Sequence, residues 1–148
     1  MKILLIGEYS RLHNSLKEGL EKNGHKATLV GSGDGFKNYP VDIKLDSYYF
    51  NLKLLKPIAK LFDKFFKISL NEVEIYFRAK QIIKNLKNYD VVQLINENSF
   101  KTLPSLEISL IKKLKKNNEK LFLLSCGVDK KSIEYALNKK FKYSILSP

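Results

Sequence analysis

The sequence is poor in cysteine and arginine and has no long apolar run. Its single cysteine, Cys126, excludes an intrachain disulfide and leaves no CxxC pair for zinc, which favours a reducing compartment. The apolar runs fall far short of the roughly 18 residues that a transmembrane helix needs. The N-terminus also lacks the apolar region and cleavage site of a signal peptide. We therefore expect a cytoplasmic protein.

The glycine-rich motifs that bind nucleotide phosphates are also missing. A dinucleotide fingerprint, G-x-G-x-x-G, would begin at Gly7, but its second and third glycine positions hold Tyr9 and Leu12. A P-loop, GxxxxGK[ST], does not occur, and the later GSGDG stretch opens no helix. The sequence therefore argues against an NAD, FAD or other nucleotide cofactor.

The charge balance is strongly basic but rests almost entirely on lysine. The formal net charge is +12, and all of the 27 basic residues except Arg11 and Arg78 are lysines. Lysine carries a compact, hydrated charge, whereas recognition of bases and phosphates favours the arginine fork. Nucleic-acid binding is thus disfavoured. A lysine-rich solvated surface and an anionic membrane surface both remain open.

Short apolar runs alternate with amphipathic segments along the 148 residues. This alternation predicts an open, mostly parallel, Rossmann-like α/β sheet with helices on both faces, as one domain over residues 1–148. Ser10 is the expected N-cap of the first helix, which should end at Asn23-Gly24. The predicted strands are 2–6, 26–30, 90–95 and 120–124, with short extended pieces at 41–45 and 143–146. The predicted helices are 11–22, 50–68, 70–86, 104–116 and 132–138.

The segment 50–68 combines aromatic and aliphatic residues with lysines at helical spacing. Pro57 is expected to start or kink this helix. Two interpretations are open. The apolar side packs into the core while the lysines face solvent, or the helix lies in the interface of an anionic membrane.

Ligands of open α/β sheets gather at the carboxyl ends of the strands. Four loops follow those ends: residues 7–13, 31–37, 96–100 and 125–129. Glu8 and Glu97 are candidate acids or bases. His13 fits either a packing residue or a ligand contact, and His25 and Cys126 are expected to be structural.

The stretch KILLIGEYSRLHNSLKEGLEKNGHKATLV resembles the opening of retaining, nucleotide-sugar-dependent glycosyltransferases of the GT-B fold, which build capsular and lipopolysaccharide glycans. In that family a glycine loop ends the first strand, a histidine and a leucine stripe mark the first helix, and a Gly-His turn precedes the second strand. DVVQLIN and LFLLSCGVD are similar to two later strands, although Ser125-Cys126-Gly127 replaces the usual His-Gly. Glu8-Tyr9 also replaces the second of the paired glycines after strand one.

The resemblance implies the N-terminal, acceptor-side domain of a two-domain enzyme, with the donor-binding domain absent. Such a chain alone would be inactive. The intact enzyme would use a nucleotide sugar as donor, usually without a metal, and would take a glycan or lipid-linked acceptor at the inner membrane face. The residues that would line the cleft are Gly7, Glu8, Tyr9, Arg11, His13, Asn96, Glu97, Asn98, Ser125 and Gly127.

Two other classes are open at this stage. A flavodoxin-like binding domain without catalytic activity has a similar element order, although the lack of an aspartate beside Glu8 argues against a phosphoacceptor receiver. A lysine-driven binder of membranes or nucleic acid is the second class.

Overall fold

A five-stranded parallel sheet forms the centre of the fold. The computed structural model of the protein describes residues 1–124 and 130–138. The strands are Lys2–Ile6 (β1), Lys26–Gly31 (β2), Ile43–Lys44 (β3), Val91–Leu94 (β4) and Lys120–Leu123 (β5). The helices are Leu12–Lys22 (α1), Lys56–Phe66 (α2), Leu70–Ile82 (α3), Pro104–Asn117 (α4) and Lys130–Asn138 (α5). Two 3₁₀ turns lie at Gly35–Lys37 and Tyr49–Asn51.

The strand order is β3-β2-β1-β4-β5, and every neighbouring pair is parallel. The predicted open α/β sheet is therefore confirmed. The order reverses at β1, because the chain builds β2 and β3 on one side and returns to place β4 on the other. This is the order of a Rossmann-like half, whereas a flavodoxin-like sheet places its third strand beside the first. The strand order therefore differs from a flavodoxin-like sheet at the two-residue β3, and the alternative of a binding domain without catalytic activity stays a prediction.

The central strand β1 is buried because it has neighbours on both edges and helices on both faces. Leu4 lies opposite Thr28 of β2 and Val92 of β4. Residues Ile3–Ile6 are buried, as the continuous apolar run predicts. Its bounds match the prediction, whereas β4 and β5 are shorter than predicted.

Each face of the sheet has its own core. On one face Ile3, Leu5 and Leu29 pack against Leu16 and Leu20 of α1. The core of the other face is larger and includes side chains of β1, β2, β4, α3 and α4: Leu4, Ile6, Val30, Val92, Leu94, Ala79, Leu110 and Leu114. The stripe predicted for α1 is thus confirmed in part, because Leu16 and Leu20 pack on the sheet whereas Leu12 is 42% exposed.

The start of α1 differs from the prediction. The residue before the helix is Arg11, whose φ is 67°, and no side chain caps the helix. Ser10 has a φ of 47° and donates its backbone N–H to Asp34 Oδ2 at 2.8 Å. The assignment of Ser10 as N-cap is therefore wrong, because a tertiary contact decides its conformation. The helix does end before Gly24, which has a φ of 76°.

The second helix is shorter than predicted, and its apolar side is not in the core. It begins at Lys56 with Pro57 in its first turn, where a proline needs no N–H partner. Residues 49–51 form a separate 3₁₀ turn. Ala59 is the one buried residue of α2. The core-packing interpretation of 50–68 is therefore wrong, because the large apolar side chains of α2 are exposed.

The remaining helices follow the predictions with shifted ends. The third helix ends at Ile82 rather than 86, and α4 extends by one residue to Asn117. The fifth helix begins at Lys130 rather than 132. The extended piece predicted at 143–146 lies outside the described residues.

We predict that Gly7→Ala destabilises the fold by about 2–4 kcal/mol, because strain and overpacking act together. Gly7 has a φ of 86°, and a Cβ there would collide with Ile95 Cγ2. The measurement is the free energy of unfolding from urea titration.

Gly19→Ala is the matched control. Gly19 is exposed within α1, and a Cβ there meets no atom within 4 Å. Alanine should raise stability by about 0.5–1 kcal/mol. Equal effects at the two glycines would contradict the close packing at Gly7.

Candidate functional site

The carboxyl edge of the sheet brings the loops after β1, β2 and β4 together. The Lys101 ammonium donates to Ser32 Oγ at 3.0 Å and lies 5.3 Å from the centre of the Tyr9 ring. These contacts join three of the four predicted loops at the point where the strand order reverses. Ser125 and Gly127, in the fourth loop, lie outside the described residues.

Two glycines let the loops after β1 and β2 approach each other. The N–H of Gly7 donates to the Val30 carbonyl at 2.8 Å. A Cβ on Gly31 would lie 3.5 Å from Gly7 Cα. Gly7 itself packs against Ile95 and the Ser99 carbonyl of the loop after β4. Gly7 is thus the point where three loops meet.

The Glu8 carboxylate is buried at this edge and is only half satisfied. It is 1% exposed. Its Oε2 accepts bonds from the backbone N–H of Asn14 at 2.8 Å and from Asn14 Nδ2 at 2.5 Å. Within the part of the chain that the structure describes, no donor reaches Oε1. A buried acceptor without a donor is costly, so Oε1 is an unsatisfied hydrogen-bonding group at this edge of the sheet.

His13 is fully buried behind this loop, and both of its ring nitrogens have neighbours. Nδ1 lies 2.7 Å from the Gly7 carbonyl, which can only accept, so Nδ1 carries the proton. Nε2 lies 3.3 Å from Gln93 Nε2 and therefore accepts from it. Burial lowers the pKa of His13, although the Gly7 carbonyl and Glu8 act in the opposite direction. The imidazole thus holds the Gly7 turn as a neutral group.

Tyr9 and Arg11 lie nearer the surface than Glu8 and His13. Tyr9 is half-buried beneath Lys101. Arg11 is exposed and pairs with Glu18 of α1 at 2.7 Å, and this hydrogen bond raises the pKa of Arg11. Both side chains belong to the rim of the carboxyl edge.

The three candidates after β4 divide into loop-building amides and an exposed carboxylate. Asn96 Oδ1 accepts the N–H of Asn98 at 3.1 Å. Asn98 Oδ1 accepts the N–H of Thr102 at 3.2 Å. Glu97 is exposed between them. The amide oxygens thus shape the loop, and Glu97 is the carboxylate that it presents to solvent.

Glu107 is a residue of this site that the sequence did not indicate. It is buried on α4 and accepts bonds from the N–H groups of Phe100 and Thr102 at 2.8 and 3.2 Å, and from the Thr102 hydroxyl at 2.6 Å. Burial raises the pKa of Glu107, while these bonds act against that rise. In the sequence, a buried glutamate in the first turns of a basic helix looks the same as a solvent-exposed glutamate. Glu107 therefore could not be selected from the sequence.

Asp34 and Lys37 are two more residues that reasoning from the sequence did not select. Asp34 Oδ2 accepts from Lys37 Nζ at 2.9 Å and from the N–H of Ser10. The hydrogen bond from Lys37, followed by that from Ser10, lowers the pKa of Asp34. Lys37 also reaches the Ser10 hydroxyl at 3.1 Å. This cluster ties the loop after β2 to the loop after β1.

The chemistry of the described edge is that of a polar, hydrogen-bonding site. It offers one carboxylate oxygen without a donor, a half-buried aromatic ring and the ammonium groups of two lysines. Among residues 1–124 and 130–138, no three His, Cys, Asp or Glu side chains are grouped to hold a metal ion. None of the described helices is both long and apolar enough to cross a membrane.

Comparison of the chain with protein-family models, with curated proteins and with solved structures gives no match.

We predict that His13 makes folding sensitive to mild acid. Since its folded pKa is lowered, its contribution to stability is present above the unfolded value of about 6.5 and is lost as the pH falls through the folded pKa. His13→Asn should flatten this slope, by at most about 1.4 kcal/mol per pH unit. Urea unfolding at a series of pH values measures it.

The control is His25→Asn, which removes the other histidine of the chain. It should keep the wild-type slope. If His13→Asn unfolds with the wild-type pH dependence, His13 is not the titrating group.

Proposed function

We propose that this chain is the acceptor-side domain of a retaining, nucleotide-sugar-dependent glycosyltransferase of the GT-B type. The observation that carries the proposal is Glu8 Oε1, a buried acceptor at the carboxyl end of the central strand that has no donor among residues 1–124 and 130–138. Sugar hydroxyls are hydrogen-bond donors of the kind that this oxygen lacks. The Rossmann-like strand order also supports the proposal, because ligands of such sheets bind at this switch point.

In the proposed reaction, an acceptor hydroxyl forms a bond to the anomeric carbon of the donor sugar while the bond from that carbon to the nucleoside diphosphate breaks, and the hydroxyl proton passes to the departing diphosphate. The role of this chain is to bind and orient the acceptor. Glu8 accepts a hydrogen bond from an acceptor hydroxyl, and Tyr9 offers a ring against which a sugar can lie. His13 is a positioning residue, since its ring holds the Gly7 carbonyl. A second domain binds the donor nucleotide.

The lack of a phosphate-binding glycine motif fits this division. The turn after β1 is formed by Glu8, Tyr9, Ser10 and Arg11, and the last two have positive φ values. The Glu8 carboxylate at the start of that turn disfavours the binding of a pyrophosphate, because like charges repel. The edge is therefore better suited to a neutral, hydroxyl-rich ligand than to a nucleotide.

We predict that methyl glycosides of common hexoses and N-acetylhexosamines shift the amide NMR signals of residues 7–14 and 96–102. A deoxy analogue lacking the hydroxyl that donates to Glu8 should bind roughly tenfold more weakly, because a hydrogen bond to a charged group is lost. In Glu8→Gln this penalty should be smaller, since the carboxylate has been removed. The comparison is a double-mutant cycle between protein and ligand.

Glu21→Gln is the matched control, because Glu21 is an exposed glutamate on α1. It should keep the wild-type preference for every glycoside. UDP and GDP should leave the same amides unshifted if the donor site lies elsewhere. Nucleotide binding at residues 7–14, or no response to any glycoside, would exclude the acceptor-side role.

A further inference from the structure

We propose that α2 docks the protein on an anionic membrane surface. The proposal is independent of the proposed function, because it concerns a different face of the molecule. Between residues 52 and 68, eight large apolar side chains are exposed to solvent. They are Leu52, Leu54, Ile58, Leu61, Phe62, Phe65, Phe66 and Ile68, of which Leu54 is 84% and Phe65 70% exposed.

The apolar residues of α2 form one continuous stripe. Ile58, Leu61, Phe62, Phe65 and Phe66 follow the helical repeat and cover an arc of about 140° on an ideal helix with 3.6 residues per turn. Rings of Phe62 and Phe66 lie 4.6 Å apart, so the stripe is one surface rather than scattered side chains. Apolar patches of this kind mark a binding surface.

Lysines occupy the opposite side of the same helix. Residues 53–67 contain Lys53, Lys56, Lys60, Lys64 and Lys67 and a single acid, Asp63. The three within α2, Lys56, Lys60 and Lys64, lie across the helix from the apolar stripe at helical spacing. An apolar face of Phe, Leu and Ile with a lysine-rich polar face is the composition of helices that lie in a membrane interface.

The charge favours an anionic bilayer over a second copy of this chain. Two copies paired through their apolar stripes would leave the lysines of both helices on the outer sides, so the lysine charge would contribute nothing to such a pair. An anionic surface attracts the same lysines, and each lysine near it raises the membrane partition coefficient roughly fivefold. The scarcity of arginine argues against nucleic acid as the partner.

The position of α2 leaves the apolar stripe free to enter the interface. Ala59 is the buried contact of the helix with the body of the protein, and it lies on the flank of the stripe rather than at its centre. Inserting the stripe therefore requires no rearrangement of the sheet or of the carboxyl edge.

We predict that the protein co-sediments with vesicles made of equal parts phosphatidylcholine and phosphatidylglycerol but not with phosphatidylcholine alone. Binding should weaken with added salt. Phe65→Ser should lower the partition coefficient roughly tenfold, because one exposed phenyl ring no longer enters the interface. Phe36→Ser, the same change at a residue that is 94% exposed outside α2, should bind like the wild type.

The absence of tryptophan permits a direct reading of insertion. Phe65→Trp introduces the only indole, and its emission should shift to the blue when anionic vesicles are added. Phe36→Trp should not shift. A blue shift of Phe65→Trp that depends on protein concentration without vesicles would show self-association instead. That result, equal binding to both vesicle types, or no binding at low salt overturns the proposal.

Discussion

Buried carboxylates that accept backbone N–H bonds hold the loops of this fold in place. Glu74 of α3 accepts bonds from the N–H groups of residues 48–50 and from the Ser47 hydroxyl. Burial acts to raise the pKa of Glu74, yet these donors outweigh it and the pKa lies below its usual value. Glu107 holds the loop after β4 in the same way, but there burial dominates. Each loop and its glutamate are therefore stable only together.

Glu8 differs from Glu74 and Glu107 in how many of its carboxylate oxygens accept hydrogen bonds. Both oxygens of Glu74 and of Glu107 accept hydrogen bonds, as expected for buried carboxylates that serve structure. Glu8 uses only Oε2 for structure, with Asn14 as its partner, and no described residue donates to Oε1. The site therefore rests on a difference among three chemically identical groups, which only their surroundings reveal.

The sheet could be predicted from sequence because its signals are local. The run Lys2–Ile6 is apolar throughout, and Gly24 ends α1 where its φ of 76° suits glycine. Ser10 could not be predicted, because its N–H bonds to Asp34, 24 residues away. For the same reason Glu107 and Gln93 gave no signal, whereas Glu8 and His13 were selected by their place after β1. Patterns along the chain find loops, but they do not find the partners that decide a side chain's role.

Helices α1 and α2 use their apolar residues in opposite ways. In α1, Leu16 and Leu20 pack on the sheet and contribute to folding. In α2, eleven residues long, the phenylalanines are exposed, and a helix of this length is marginal in water by itself. Burying that stripe against the sheet would have strengthened the core, yet the fold turns Ala59 inward instead. An apolar face that adds little to folding is best understood through what binds it, and its lysines favour an anionic surface.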